Sequence, residues 1–271
     1  MNSKKKQGLL ALILVLALVS TGCGMLEDLR ARDSLNKGVR SYTAQSYDEA
    51  IEYFQAAIES DPGLVEAYLY LAISYRALYI PQATSVENLQ MAQKAIENFE
   101  QVLEQTPLDD TQSRPTAMAN LAGIYSQMGD YDQAKEWYRR RLEDEPNNPE
   151  PMYGIGTIDW QLSYDETGMT GENVENMEDE RRVEVNLLVD EGVEVLNKAL
   201  EIDPTYVDAM QYLNLLYREK SKLAEEEEEK RDWERQADRL ALRALELRRQ
   251  QQREEEEARR RVMGGESSEA Q

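Results

Sequence analysis

The fold can be predicted from residues 38–62, which read GVRSYTAQSYDEAIEYFQAAIESDP. Small residues and one aromatic residue lie there at helical spacing, and a proline ends the segment. Small side chains let two antiparallel helices approach closely, an aromatic side chain fills the space between them, and proline ends the second helix. The segment therefore predicts a helix, a turn and a second helix. The residues that carry the pattern are Gly38, Ala50, Phe54, Ala57 and Pro62.

A close copy of this pattern lies further along the chain, with Arg141 as a local departure where a small residue is expected. Both copies resemble the tetratricopeptide repeat, a helix-turn-helix unit of about 34 residues. The resemblance implies an all-α fold, a right-handed solenoid of stacked helical hairpins. The residues of the second copy are Leu121, Ala122, Tyr125, Gly129, Tyr131, Ala134, Tyr138 and Pro146.

Three further copies match the pattern at their ends and carry insertions. Tyr75 and Ala95 are 20 positions apart, against 9 between Tyr125 and Ala134. The added length is about three helical turns, which keeps both helices facing the same way. Pro81 and the capping pattern from Thr84 to Glu87 place one break near residues 81–85. The five predicted repeats cover residues 31–64, 65–109, 115–148, 149–206 and 207–250.

The turn of the fifth repeat lacks the usual turn residues, because residues 224–229 contain neither Gly nor Pro. One long helix is the alternative there. Residues 251–271 carry blocks of acidic and basic residues with almost no apolar ones, which predicts a solvated helix extension that caps the solenoid, followed by a disordered tail.

The composition excludes several classes of function. Asp and Glu outnumber Lys and Arg by 53 to 31, so the net charge of −22 argues against nucleic-acid binding. The chain has no His and one Cys, which removes imidazole-assisted nucleophiles, His-ligated zinc and disulfides. Phosphate-binding and nucleophile-elbow motifs are absent. We therefore expect no enzyme, no cofactor, no metal site and no small-molecule substrate.

An acidic insertion covers about residues 163–182 of the fourth repeat. Its carboxylates lack the ordered spacing that a Ca²⁺ site requires, so a solvated, mobile loop is predicted instead. The acidic residues are Asp165, Glu166, Glu172, Glu175, Glu178, Asp179 and Glu180.

The N-terminus has the pattern of a targeting segment. Three lysines precede an apolar run that is too short for a comfortable membrane-spanning helix, which predicts a signal peptide over residues 1–22. Residues 20–23 read STGC and resemble the lipobox of bacterial lipoproteins, with Ser20 departing from the usual aliphatic residue. The resemblance implies a lipidated Cys23 on a short tether, residues 23–30, and Gly24 implies the outer membrane.

Partner binding in such a solenoid is expected on the concave face, which the first helix of each repeat lines. Chaperone-binding tetratricopeptide domains use Lys, Arg and Asn there to grip a C-terminal carboxylate, and Leu35 and Val39 do not match. An extended peptide or an amphipathic helix with apolar anchors fits better. The alternative is that these side chains only pack against neighbouring segments. The predicted groove residues are Leu35, Val39, Tyr42, Leu69, Ile73, Arg76, Tyr153, Thr157 and Trp160.

These features together predict a lipid-anchored scaffold that faces the periplasm and holds a protein partner at the bacterial envelope. The layout resembles that of the lipoprotein of outer-membrane β-barrel assembly and of the secretin pilotin of type IV pili. A structural spacer without a peptide groove is the alternative.

Overall fold

The computed structural model describes residues 26–266, which form helices joined by short connections. The helices are α1 (26–43), α2 (Tyr47–Ser60), α3 (Val65–Leu78), α4 (Val86–Gln105), α5 (Ser113–Met128), α6 (Tyr131–Asp144), α7 (Pro149–Thr167), α8 (Asp179–Ile202), α9 (Val207–Leu223) and α10 (Glu227–Glu266). The described part of the chain contains no strand. Five consecutive helix pairs follow the order of the five predicted repeats, with α1 already formed at residue 26 and α10 continuing beyond residue 250.

The chain divides into two compact units at Trp137 and Tyr138. In the first unit α3 packs against α2 and α4 and also touches α5. In the second unit α8 packs against α7 and α9, α9 packs against α10, and α7 touches α9. First helices of neighbouring pairs therefore lie side by side within each unit.

Small residues sit where helices approach each other most closely. A Cβ built on Gly38 would overlap the ring of Phe54, and one built on Gly156 would lie 2.5 Å from Cγ of Leu196. Phe54 and Leu196 are fully buried, so neither can move aside into solvent. These contacts are the pairing of small and large side chains that the repeat pattern predicted.

The ends of several helices are held by side chains. Ser85, not the predicted Thr84, caps α4, because its hydroxyl accepts a hydrogen bond from the Asn88 N–H at 3.2 Å. Before α5, one carboxylate oxygen of Asp110 accepts hydrogen bonds from three successive backbone N–H groups, at 3.0, 2.5 and 3.0 Å. Such carboxylates satisfy N–H groups that the first helical turn leaves free.

Arg141, the departure from the repeat pattern, is buried, and two of its guanidinium nitrogens, Nε and Nη2, are bound. It contacts carboxylates of Glu145 and Glu150, each at 2.8 Å. The charge is therefore accommodated by two partners at the end of α6 and the beginning of α7.

The predicted solvated loop over residues 163–182 is shorter in the structure: residues 163–167 belong to α7 and residues 179–182 to α8, and the loop between them, 168–178, is mostly exposed. Helix α7 continues to Thr167, and Ser163, Thr167 and Val174 are buried. Thr167 bonds to Glu219 of α9, and Val174 belongs to the core that α7, α8 and α9 share, which the charge count alone does not reveal. The long α9–α10 alternative is not found, since α9 ends at Leu223 and α10 begins at Glu227.

The predicted signal peptide, Cys23 and the end of the predicted tail at 267–271 lie outside the described residues. Side chains 249–260 of α10 are all exposed, as expected for a solvated extension. Within residues 26–266, no helix combines the length and the apolar character needed to cross a membrane.

Candidate functional site

A stripe of aromatic side chains follows one face of α7. Tyr153, Thr157, Trp160 and Tyr164 are spaced by four, three and four positions, which places them on the same side of the helix. All four are half-buried. Three of them, Tyr153, Thr157 and Trp160, are predicted groove residues, and Tyr164 extends the same stripe by one turn.

Side chains of α9 and the residue before it interlock with this stripe. The Tyr212 ring lies edge-on to Tyr153, with centroids 5.5 Å apart, and edge-on to Trp160, with centroids 5.4 Å apart. Tyr206 lies 5.3 Å from Tyr153, and Tyr164 lies 5.4 Å from Trp160. We call this set the aromatic ladder; its members are Tyr206, Tyr153, Tyr212, Trp160 and Tyr164.

A polar cluster closes the ladder at its Tyr164 end. The Lys222 ammonium lies 5.0 Å from the Tyr164 ring centroid, donates to the Gly168 carbonyl at 2.7 Å and pairs with Glu219 at 2.8 Å. The buried Thr167 hydroxyl donates to the other oxygen of Glu219 at 2.6 Å. The buried carboxylate is therefore fully engaged, and the insertion is fixed to α9 next to the ladder.

The surroundings of the opposite end of the ladder raise the pKa of two of its phenols. Burial, reinforced by Tyr212 and Asp208, raises the pKa of Tyr153 to about 12. Burial also raises the pKa of Tyr206 to about 12, with Tyr153 and Glu150 adding to the effect. Both phenols are neutral at physiological pH, as an ordinary tyrosine is.

The first unit brings part of its predicted groove residues together. Tyr42 lies 6.4 Å from Tyr70 and 5.5 Å from Tyr47, ring to ring. The Arg76 guanidinium of α3 donates to the side-chain oxygen of Asn120 on α5. Leu69 and Ile73 are half-buried on α3, on the same helical face as Arg76.

Gly123 explains how Arg76 reaches α5. A Cβ at Gly123 would lie 2.9 Å from Nη2 of Arg76, so the guanidinium occupies the space that glycine leaves open.

Of the remaining predicted residues, Val39 is half-buried, whereas Leu35 is only 9% exposed. Leu35 shares a helical face with Ala31 and Gly38, which are also buried, so its surface is used in packing. The binding role of all nine predicted residues stays a prediction.

Tyr164, Tyr206 and Tyr212 are not among the predicted groove residues. Tyr164 was detectable as the next position of the α7 stripe. The predicted groove residues end in the fourth repeat, so none of them belongs to α9. The Tyr content of residues 206–217 was the available signal.

The ladder is suited to recognition through apolar and hydrogen-bonding contacts. Aromatic side chains with polar ends provide large contact area at low cost in conformational entropy. Among residues 26–266, no group of three or more His, Cys, Asp or Glu side chains could hold a metal ion.

Residues 42–64 and residues 74–144 match family models of the tetratricopeptide repeat. The chain also superimposes on solved tetratricopeptide structures, and its fold is a tetratricopeptide helical solenoid, as the sequence predicted. The MamA protein matches with a TM-score of 0.57 and 15% identity, over 83% of this chain and 94% of MamA.

Two other proteins are similar over a large part of their length. Photosystem I assembly protein Ycf3 of Synechococcus sp. (strain WH7803) is 29% identical over 151 residues, which are 55% of this chain and 74% of Ycf3. YrrB, described as a TPR protein with an unusual peptide-binding site, matches with a TM-score of 0.50 and 15% identity, over 80% of this chain and 90% of YrrB.

Proposed function

We propose that this chain is a lipid-anchored scaffold that faces the periplasm and binds a protein partner through the aromatic ladder. The main support for partner binding is the exposure of the ladder. Its five interlocking aromatic side chains, from α7, from α9 and from the residue before α9, remain half-buried after folding. Aromatic residues of this kind are enriched at interaction hot spots. The ladder fits a peptide or amphipathic helix with apolar anchors.

The relatives support the interaction part of this proposal. Ycf3 is named for assembly and YrrB for peptide binding, and both share the helical-hairpin repeats. In such solenoids the repeats provide an extended surface rather than an enclosed reaction chamber. We extend this role to the present chain as a non-enzymatic adaptor.

Lipidation of Cys23 and a position at the outer membrane are the second part of the proposal. They rest on residues 1–24, whose apolar run ends in STGCG. Stable anchoring requires more than one acyl chain, because each buried methylene contributes about 0.8 kcal/mol. The test is metabolic labelling of the full chain with an alkyne fatty acid, followed by membrane fractionation.

The expected result is that the parent chain is labelled and sediments with outer membranes, while Cys23→Ser is unlabelled and leaves that fraction. Label on the Cys23→Ser chain, or an unlabelled parent that remains in the inner membrane, would contradict the anchor. Neither result affects the ladder, whose partner binding is tested separately.

The partner test is cross-linked affinity capture of the full chain from its own membranes. Trp160→Ala is the test variant. Trp233→Ala is the matched control, because Trp233 packs on Tyr217, 5.3 Å away ring to ring, outside the ladder. A partner lost only with Trp160→Ala supports an adaptor. Recovery of the same proteins, in equal amounts, with the parent and with both variants supports the structural spacer instead.

A further inference from the structure

We propose that the first unit carries a second docking surface, for a protein segment whose apolar side chains are flanked by Lys or Arg. The surface comprises residues 79–89, between α3 and α4 and into the first turn of α4, together with the turn 126–131 between α5 and α6. We call it the edge surface. It contains none of the predicted groove residues and no member of the aromatic ladder.

The edge surface exposes four large apolar side chains. Ile80 and Val86 are 64% and 66% exposed, and Leu89 and Met128 are 45% and 42% exposed. Single exposed residues of this kind are ordinary, but several in two adjoining segments indicate an interaction site.

The two segments line an open cavity of about 400 Å³. Its apolar walls include Tyr79, Pro81, Leu89, Met128 and Tyr131. This volume is at the lower end of that of small-molecule pockets and is large enough for one or two aliphatic side chains. The cavity therefore provides a receptor for an apolar anchor, with exposed Ile80 and Val86 beside it in the same segment.

The connection is fixed in place by one buried side chain. Asn88 accepts a hydrogen bond from the Ile80 N–H at 2.8 Å and donates to the carbonyls of Ile80 and Ala83, each at 2.8 Å. The loop thereby presents exposed apolar side chains from an ordered backbone. A preformed surface loses little conformational entropy when a partner docks.

The charges around the cavity determine the kind of partner. None of the residues that line it is charged. The charged residues of the edge surface itself, Glu87 and Asp130, are acidic and exposed, as is Asp132 just beyond it; Lys94 on α4 and the buried Lys135 on α6 lie outside it. Arg76, just before the first segment, is bonded to Asn120. An uncharged cavity, with exposed acidic side chains in the two stretches of chain that form it, favours a partner with basic flanks and disfavours an acidic one.

The first test is selection of random short peptides, displayed on phage, against the immobilised full chain. A parallel selection uses Leu89→Glu, which is checked for folding by circular dichroism, and Met128→Glu serves as a second variant. Peptides that combine Leu, Ile, Met or Phe with neighbouring Lys or Arg should be enriched on the parent and not on either variant. Enrichment of acidic peptides, equal enrichment on the variants, or no enrichment on the parent overturns the proposal.

The second test measures the affinity of one selected peptide by fluorescence anisotropy. Leu89→Ser should raise the Kd about tenfold or more, whereas Leu108→Ser, at a 79% exposed leucine elsewhere in this unit, should leave it unchanged. The double variant Glu87→Gln, Asp132→Asn should weaken binding and reduce its salt dependence. An unchanged Kd in Leu89→Ser would overturn the proposal.

A second copy of this chain is the competing occupant of the edge surface. Sedimentation of the parent and of Leu89→Glu distinguishes it, because a self-association that the variant abolishes would overturn the assignment to a basic partner. Trp160→Ala should leave peptide affinity at the edge surface unchanged, which keeps this test independent of the aromatic ladder.

Discussion

Tyr212 of α9 lies edge-on to Trp160 of α7, with ring centroids 5.4 Å apart and an interplanar angle of 76°. This geometry brings the positive edge of one ring to the negative face of the other, which is a favoured arrangement of aromatic pairs. The contact joins the first helices of two neighbouring helix pairs. It therefore contributes both to the packing of the solenoid and to the surface that we propose for partner binding.

The pair should be energetically coupled. Trp160→Leu and Tyr212→Leu together should destabilise the chain by about 1 kcal/mol less than the sum of the two single changes, since the second change no longer removes the contact. Urea denaturation followed by circular dichroism measures the cycle. Trp233→Leu combined with Tyr212→Leu is the control pair and should be additive. If the two changes in the free energy of unfolding were additive for Trp160 and Tyr212, the rings would lie near each other without a stabilising contact.

Gly156 should tolerate no side chain. Gly156→Ala would place a Cβ 2.5 Å from Cγ of buried Leu196 and should lower the free energy of unfolding by about 1–3 kcal/mol through overpacking. Thermal or urea unfolding checks the value. Gly63→Ala is the control, because a Cβ there meets only the Asp61 carboxylate at 3.3 Å. If Gly156→Ala were as stable as the control, the close helix approach would be disproved.

The raised Tyr pKa values predict a loss of stability at high pH. Tyr153 and Tyr206 have a pKa of about 12 when folded, against an ordinary value of 10. Their contribution to stability is therefore fully present below pH 10 and is lost as the pH rises through about 12. Unfolding curves across this range should show the decline, and the double variant Tyr153→Phe, Tyr206→Phe should flatten it. An unchanged decline in that variant would assign it to other groups.

Asp110 should stabilise α5 only when ionised. Hydrogen bonds from the backbone N–H groups, with that of Arg114 the strongest, hold its pKa below the ordinary value of 3.8. Asp110→Ala should cost about 1 kcal/mol near neutral pH. Because the folded pKa is depressed, this difference is present above pH 3.8 and is lost as the pH falls through the folded pKa. The neighbouring Asp109→Ala should have little effect at either pH, and an equal loss in both variants would refute the capping role.

Much of the fold was predictable because its determinants are local. The positions of Gly38 and Phe54 indicate a close helix pair from the sequence alone, and the structure places a ring where a Gly38 side chain would be. Loop chemistry was harder to predict. The capping role went to Ser85 instead of Thr84, since both residues fit the pattern and only the backbone geometry decides between them.

Only the α7 part of the candidate site was predictable from the sequence. The α7 stripe follows from helical spacing, whereas its contact with Tyr212 depends on how α9 is rotated against α7. The extent of the insertion's loop was misjudged for a related reason: most of its acids are exposed as predicted, but Thr167 and Glu219, 52 positions apart, form a buried hydrogen bond. Contacts of this range depend on the packing of whole helices, which composition does not encode.

The central proposal is that the aromatic ladder binds a protein partner. The most direct measurement is quantitative mass spectrometry of proteins cross-linked to the full chain in its own membranes, compared among the parent, Trp160→Ala and Trp233→Ala. We expect at least one protein to be recovered with the parent and Trp233→Ala and to fall about tenfold or more with a folded Trp160→Ala. Equal recovery of every cross-linked protein with Trp160→Ala and the parent would contradict the proposal.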